Sequence, residues 1–271
     1  MRTIKHLIIP DAQVKDGVPQ EHLAWIGKYI VDTKPDVIVN IGDWADIPSL
    51  SSYDRGTKNA EGKRVIHDIN AANDALDLLM KPIDNFNKKQ RKTRHKQYTP
   101  RKVITLGNHE ERIMRHVNAH PELEGTLSYD SLNFKQHGFE VYDFLTPVTI
   151  DGVTYCHYIP NPFTGRPYGG NAGNILQKVG QTFVCGHKQT LDVATRELPF
   201  TGEQQWGIIA GACYLHEEGY KGIQGNRHWR GIVVLNDVHD GAFSPMFVDL
   251  DYLCRRYEKC TLEEYYAKRG V

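Results

Sequence analysis

Residues 36–46 read DVIVNIGDWAD. The β-branched run over 36–41 stops at Gly42-Asp43, as a short buried strand does when it opens into a polar loop. The same pattern recurs on either side. HLIIP at 6–10 ends at Pro10, and KVITL at 102–106 ends at Gly107-Asn108. Two stretches with helical spacing lie between these strands. One is EHLAWIGKYIVD at 21–32. The other, over 68–90, sets Ile69, Ala72, Leu76, Leu79, Ile83 and Phe86 on one helix face. Strand–helix–strand order predicts an α/β fold with a mainly parallel sheet and helices on its faces.

The second half is richer in strands. VTIDGVTYCHY (148–158) reads as a hairpin turning at Asp151-Gly152, and residues 232–250 as another turning near Asp240-Gly241. TFVCGH (182–187) is a strand running into glycine. Residues 159–174 are rich in Pro and Gly and read as a surface loop. Leu262 and Tyr265-Tyr266 suggest a last helix packed on the body or on another subunit.

The chain has 271 residues, which suits one domain spanning 1–271. Hydrophobic residues at 40% and charged residues at 24% exclude a disordered chain. No apolar run approaches the roughly 18 residues of a spanning helix, and Asp11 comes too early for a signal-peptide core. Lys+Arg (33) equals Asp+Glu (33), so net charge favours neither a nucleic-acid coat nor a membrane-surface binder. Five cysteines without a CxxC pair argue against a disulfide framework, and a cytoplasmic setting is expected.

Five polar clusters punctuate the strand ends: Asp11-Ala12-Gln13, Gly42-Asp43-Trp44-Ala45-Asp46, Gly107-Asn108-His109-Glu110, His157, and Gly186-His187-Lys188-Gln189. The carboxyl ends of strands in an open α/β sheet converge on one crevice. Carboxylates and neutral imidazoles there suit divalent first-row ions, and amide oxygens can complete the sphere. Taken singly, DAQ is a polar loop, GDWAD a turn and His157 a hydrogen-bonded core histidine. Five motifs in order outweigh those readings.

The order DxQ, GDxxD, GNHE, His, GHxQ resembles the calcineurin-like metallophosphoesterase superfamily, whose usual pattern is DxH, GDxxD, GNH(E/D), His, GHxH. The motifs span residues 11–189. The resemblance implies a two-sheet α/β sandwich with flanking helices and a binuclear metal site at one edge. It implies that Asp11, Gln13 and Gln189 bind a first metal, that Asp43 bridges, and that Asn108, His157 and His187 bind a second. His109 would contact phosphate and protonate the leaving oxygen, and Asp46 would orient His109. A metal-bound hydroxide would attack phosphorus.

Two positions depart from the pattern. Gln13 and Gln189 stand where histidine is usual, and both map to the first metal. Amide oxygens are harder and weaker donors than imidazole, so the first site is expected to be weak and to prefer Mn²⁺ or Mg²⁺ over Fe or Zn²⁺. The protein phosphatases of the superfamily carry arginines where this chain has Ile47 and Leu106. Arg112 on the following helix is a candidate substrate-binding cation. Without the two arginines, a phosphodiester with one negative charge is the favoured substrate.

Lys88, Lys89, Arg91, Lys92, Arg94, Lys96, Arg101 and Lys102 form a basic segment. It reads either as a DNA or RNA contact near the site's rim or as a solvated helix end. His216 with Glu217 and Glu218 is expected at the surface. Trp229 is expected to be a partly buried anchor, and Cys156 and Cys185 to be buried thiols. Residues 190–271 carry no recognised motif, and substrate specificity is expected to reside there. The expected function is a metal-dependent phosphodiesterase and possible nuclease, with no membrane role. The alternatives are a small-molecule phosphatase or cyclic-nucleotide phosphodiesterase, and a non-catalytic binding platform that has lost one metal.

Overall fold

The computed structural model describes residues 3–269. Two mixed sheets carry the fold. The first contains β1 (His6–Ile9), β2 (Val37–Asn40), β3 (Arg101–Thr105), β4 (Glu140–Tyr142), β10 (Gly231–His239) and β11 (Ala242–Asp249), in the order β11-β10-β1-β2-β3-β4. β1 to β4 run parallel, and β10 pairs antiparallel with β1 and with β11. The second sheet contains β5 (Val148–Ile150), β6 (Val153–Cys156), β7 (Phe183–Cys185), β8 (Leu191–Glu197) and β9 (Gln204–Ala210), in the order β5-β6-β7-β9-β8. Its β6, β7 and β9 run parallel.

Successive strand residues point to opposite faces, and this sorts the core into layers. Ile8, Val37, Val39, Val103 and Val233 of the first sheet face Val153, Tyr155, Val184 and Ile208 of the second. The other face of the first sheet, with Leu7, Ile9, Ile38, Ile104 and Val234, is covered by α1 (His22–Thr33), α2 (Val65–Lys92) and α6 (Leu250–Glu258). α4 (Ala172–Val179) places Ala172, Ile175 and Leu176 on Phe183, Cys185 and Ile209 behind the second sheet. Seven α-helices occur among the described residues. The others are α3 (Glu111–Ala119), α5 (Gly222–Asn226) and α7 (Leu262–Arg269). α7 packs through the buried Tyr265, whose ring meets Trp25 edge-on at 5.1 Å.

The strands and helices expected in the first half occupy their places within a few residues. α2 is longer than the apolar stripe suggests and carries Pro82 inside it. The stretch 159–174 is looped only as far as Asn171, which caps α4 by accepting a hydrogen bond from the backbone N of Asn174. Both hairpin turns sit where Asp-Gly pairs mark them, and they touch. The N–H of Gly241 donates to the carbonyl of Asp151 (2.9 Å), and a Cβ on Gly152 would lie 2.2 Å from the nitrogen of Gly241. Near the same place His6 is 3.0 Å from Asp151 and 2.6 Å from the hydroxyl of Tyr155. The two sheets are therefore tied together at the end where β1 begins. No described helix is long and apolar enough to cross a membrane.

Candidate metal centre

The opposite end of the parallel strands carries the polar clusters. β1 leads to Asp11 and Gln13, β2 to Asp43 and Asp46, β3 to Asn108, His109 and Glu110, β6 to His157, and β7 to His187 and Gln189. The loops after β1 and β2 are zipped together. Gln13 N donates to the carbonyl of Asp43 (2.9 Å), Val14 N to that of Trp44 (2.7 Å), and Asp46 N to that of Val14 (2.8 Å). Gln13, Asp43, His187 and Gln189 all adopt positive φ, at 47°, 48°, 69° and 59°. Non-glycine residues in that region cost about 1–3 kcal/mol each and cluster at functional sites.

Four of the expected ligands meet in one place. Asn108 Oδ1 is 3.0 Å from His157 Nε2 and 2.8 Å from His187 Nδ1. His157 Nε2 is 3.4 Å from Asp43 Oδ1, and its Nδ1 faces the carbonyl of Ile41 at 2.9 Å, which orients the ring. Donor atoms of Asp43, His157 and His187 all lie within 4.8 Å of one another. One carboxylate, one amide oxygen and two imidazoles, drawn from both sheets, form a donor set that fits a divalent ion.

The remaining expected ligands are arranged differently. Asp11 is fully buried; its Oδ1 accepts from the backbone N of His187 (3.1 Å), and its Oδ2 has no hydrogen-bond partner. Gln13 donates from Nε2 to Asp43 Oδ2 (3.1 Å). Gln189 Oε1 accepts from the Tyr214 hydroxyl (2.9 Å) and from the Lys221 ammonium. Both glutamines are thus engaged by neighbours, and Asp11 stands outside the group formed by Asp43, His157 and His187.

Electrostatics separate the groups further. Burial pushes the Asp11 carboxyl up, only partly offset by His157. Burial pushes Asp43 the same way, but His109 and His157 beside it hold it well below the usual carboxylate range. His157 resists its own burial through Asp43 and Asp11 and is pushed up to about 9. His187, desolvated and beside His157, is pushed down to about 4.

His109 stands next to this cluster. Its backbone N donates to Asp43 Oδ1 (3.0 Å), its Nε2 is 3.7 Å from Asp43 Oδ2, and its Nδ1 is 2.9 Å from Asp46 Oδ1. Burial lowers its affinity for a proton, but Asp43 and Asp46 outweigh burial and raise it. Asp46 is also buried. His109, Lys15 and Arg112 nevertheless hold its carboxyl well below the usual range. Arg112 Nη1 donates to the Asp46 carbonyl (2.5 Å), to Asp46 Oδ1 (3.3 Å) and to the Ile47 carbonyl (3.4 Å). That nitrogen of the expected substrate-binding cation is spent on positioning Asp46. Ile47 and Leu106 are fully buried and contribute no charge.

Several participants have no role in the sequence reading. Glu110 is fully buried, and its carboxylate accepts from three backbone N–H groups: Asp43 (3.0 Å), Ala45 (2.8 Å) and Gly107 (2.8 Å). It stands inside the quoted GNHE motif, which was its signal. Lys15 bridges Asp46 Oδ2 (3.1 Å) and Glu218 Oε1 (2.8 Å). Glu218 is buried and 2.8 Å from His216, so this pair is not the surface feature expected of it. Lys15 supplies the half-buried cation that makes the position tolerable to a carboxylate. Tyr214 follows β9, where the apolar run 207–210 ends at Gly211 as other site strands end at glycine.

The basic segment does not reach the rim of the centre. Arg101 opens β3 opposite Val37, which opens β2. The segment thus arrives at the amino ends of the strands, and β3 puts roughly 15 Å between it and the loop carrying Asn108. Arg101 is paired with Glu140 at 2.7 Å, while Lys88, Lys89, Arg91 and Lys92 are exposed. Trp229 is a partly buried anchor against the inter-sheet core. Cys156 and Cys185 are buried thiols, and burial pushes the thiol of Cys156 up to about 11.

No protein-family model matches the chain. The Gene 54 protein of Mycobacterium phage L5 is similar, with 22% identity over 212 residues covering 76% of this chain and 77% of the phage protein. A solved crystal structure aligns with 92% of this chain and 100% of its own at 12% identity, with a TM-score of 0.34. So slight a likeness bears on neither fold nor function.

Proposed function

We propose that the chain is a metal-dependent phosphoesterase of the calcineurin-like kind that acts on phosphodiesters. The observation that carries this reading is the convergence of Asp43, Asn108, His157 and His187, with His109 and Asp46 beside them. Divalent metal, when bound there, supplies Lewis acidity and an activated water to phosphorus chemistry. Asp43, Asn108, His157 and His187 would hold it. With Asp46 at Nδ1, His109 offers Nε2–H toward the leaving oxygen as the imidazolium, the form that its carboxylate neighbours Asp43 and Asp46 favour. Lys15 and Arg112 keep Asp46 ionised and in place. Burial of Ile47 and Leu106 leaves the positions of the two phosphatase arginines apolar, which favours a singly charged diester over a dianionic monoester.

The specific version is a nuclease, with DNA or RNA held by the exposed cations of 88–96. The remoteness of that segment from the centre favours a second reading, a small-molecule phosphatase or cyclic-nucleotide phosphodiesterase. Hydrolysis of bis-p-nitrophenyl phosphate and p-nitrophenyl phosphate, with Mn²⁺ restored after chelation and Asp43→Asn as control, tests the assignment. Diester cleavage well above monoester cleavage, lost in Asp43→Asn, is expected. The reverse ratio would make the chain a phosphatase. No Mn²⁺-dependent turnover on either ester would leave a binding platform.

A further inference from the structure

Both glutamines implied for the first metal already have partners. A carbonyl oxygen has two lone pairs, and Gln189 Oε1 already accepts from the Tyr214 hydroxyl and the Lys221 ammonium. Gln13 turns its amide N–H toward Asp43 Oδ2, as an amide must when it faces a carboxylate oxygen. The ammonium is fixed from a second side by the Tyr214 hydroxyl (3.1 Å) and lies over the Tyr214 ring, 5.7 Å from its centroid. Its charge also acts on Asp11, whose buried Oδ2 lacks a hydrogen-bond partner. Histidine at position 13 or 189 would offer a ligand nitrogen; glutamine at 189 offers an oxygen suited to a lysine.

We propose that this chain binds one divalent ion, at Asp43, Asn108, His157 and His187, and that the Lys221 ammonium seated on Gln189 takes the place of a second ion. The proposal rests on the metal-centre reading above. An ammonium brings one positive charge and three donors where a divalent ion brings two charges and Lewis acidity. It supplies charge, but it cannot activate water. Activation of water would then rest with a single ion held by Asp43, Asn108, His157 and His187.

Equilibrium dialysis with Mn²⁺ and low-temperature electron paramagnetic resonance of the full chain test this directly. One Mn²⁺ per chain is expected, with the spectrum of an isolated ion. Lys221→Ala is expected to gain a second, weaker Mn²⁺. Asp11→Asn is expected to keep one ion, its affinity changed less than about tenfold, the lower end of what loss of a supporting partner costs. Two ions in the wild-type chain with a spin-coupled spectrum would overturn the substitution by Lys221 and leave the metal-centre reading standing. No bound ion at millimolar Mn²⁺ would overturn both.

Discussion

His109 presents Nδ1 to Oδ1 of Asp46 across 2.9 Å, and this contact decides which ring nitrogen faces the ligand cluster. Asp46 can hold that orientation because Lys15 and Arg112 balance its buried charge. On the proposed function, His109→Ala should lower diester turnover by roughly 10²–10⁴-fold, the usual contribution of a positioned acid. Asp46→Asn should lower it by about 10–100-fold, as loss of a supporting partner does. Mn²⁺ stoichiometry should not change in either variant. Steady-state rates beside metal analysis check this, and undiminished turnover in His109→Ala would remove it from the reaction.

Glu110 is a buried clamp on two loops, and its three acceptor contacts cannot survive conversion to an amide. In Glu110→Gln at least one backbone N–H meets an N–H. The expected loss is about 1–3 kcal/mol per unsatisfied group, read as a lower denaturant midpoint. Weaker Mn²⁺ binding should accompany it, because the clamp fixes the backbone at Asp43. Unchanged stability would show that the loops do not depend on the clamp.

Gly107 has no room for a side chain. A Cβ there would lie 2.2 Å from Asp43 Oδ1 and 2.3 Å from the nitrogen of Asp43. Gly107→Ala should therefore displace the Asp43 carboxylate and abolish Mn²⁺ binding seen by calorimetry. Wild-type affinity in a folded Gly107→Ala chain would mean that Asp43 is not a ligand.

His22 is fully buried beside the carbonyl of Cys213 at 3.0 Å, and burial pushes its imidazole down to about 3. The unfolded chain binds a proton at this residue below its ordinary value near 6.5, and the folded chain does not. The contribution is therefore intact above about 6.5 and is lost as pH falls toward 3, by up to about 1.4 kcal/mol per pH unit. Asp11 has the opposite sign, since its raised carboxyl favours the folded state as pH falls. The comparison that isolates His22 is wild type against His22→Gln. Urea midpoints between pH 7 and pH 5 should fall less in the variant, and parallel curves would refute the shift.

The exposed cations at Lys88, Lys89, Arg91 and Lys92 lie far from the centre. Reversing them to glutamate should weaken polynucleotide binding and flatten its salt dependence. Cleavage of the small diester should be untouched. Equal losses on both substrates, or no loss on either, would count against a nucleic-acid role.

The strands that deliver the site were legible because each is a short apolar run broken by glycine or a polar pair. β4 and β8 show the limit. β4 and β8 lie at sheet edges, where side chains such as Glu140, Arg196 and Glu197 face water and blur the alternation of a strand. The late hairpin kept its alternation and its Asp-Gly turn. Within the site, residues in motifs could be placed by order alone. Lys15, Glu218, Tyr214 and Lys221 could not, since each reaches a group distant in sequence, as Lys15 reaches Glu218 across 203 positions. The basic segment misled for the converse reason. It lies between two site motifs in sequence but enters β3 at the wrong end.

The contact of the Asp151-Gly152 and Asp240-Gly241 turns fastens the sheets at one end, and the bonds of His187 N to Asp11 and of His157 to the Ile41 carbonyl join them at the other. At the other end Asp43 and Asn108 belong to one layer, His157 and His187 to the other. An ion held by all four would act as a rivet through both layers. Its capture would add to the bonds that already join them, so chelation would lower the stability of the whole sandwich as well as empty the centre. Melting temperature should then follow free metal by mass action.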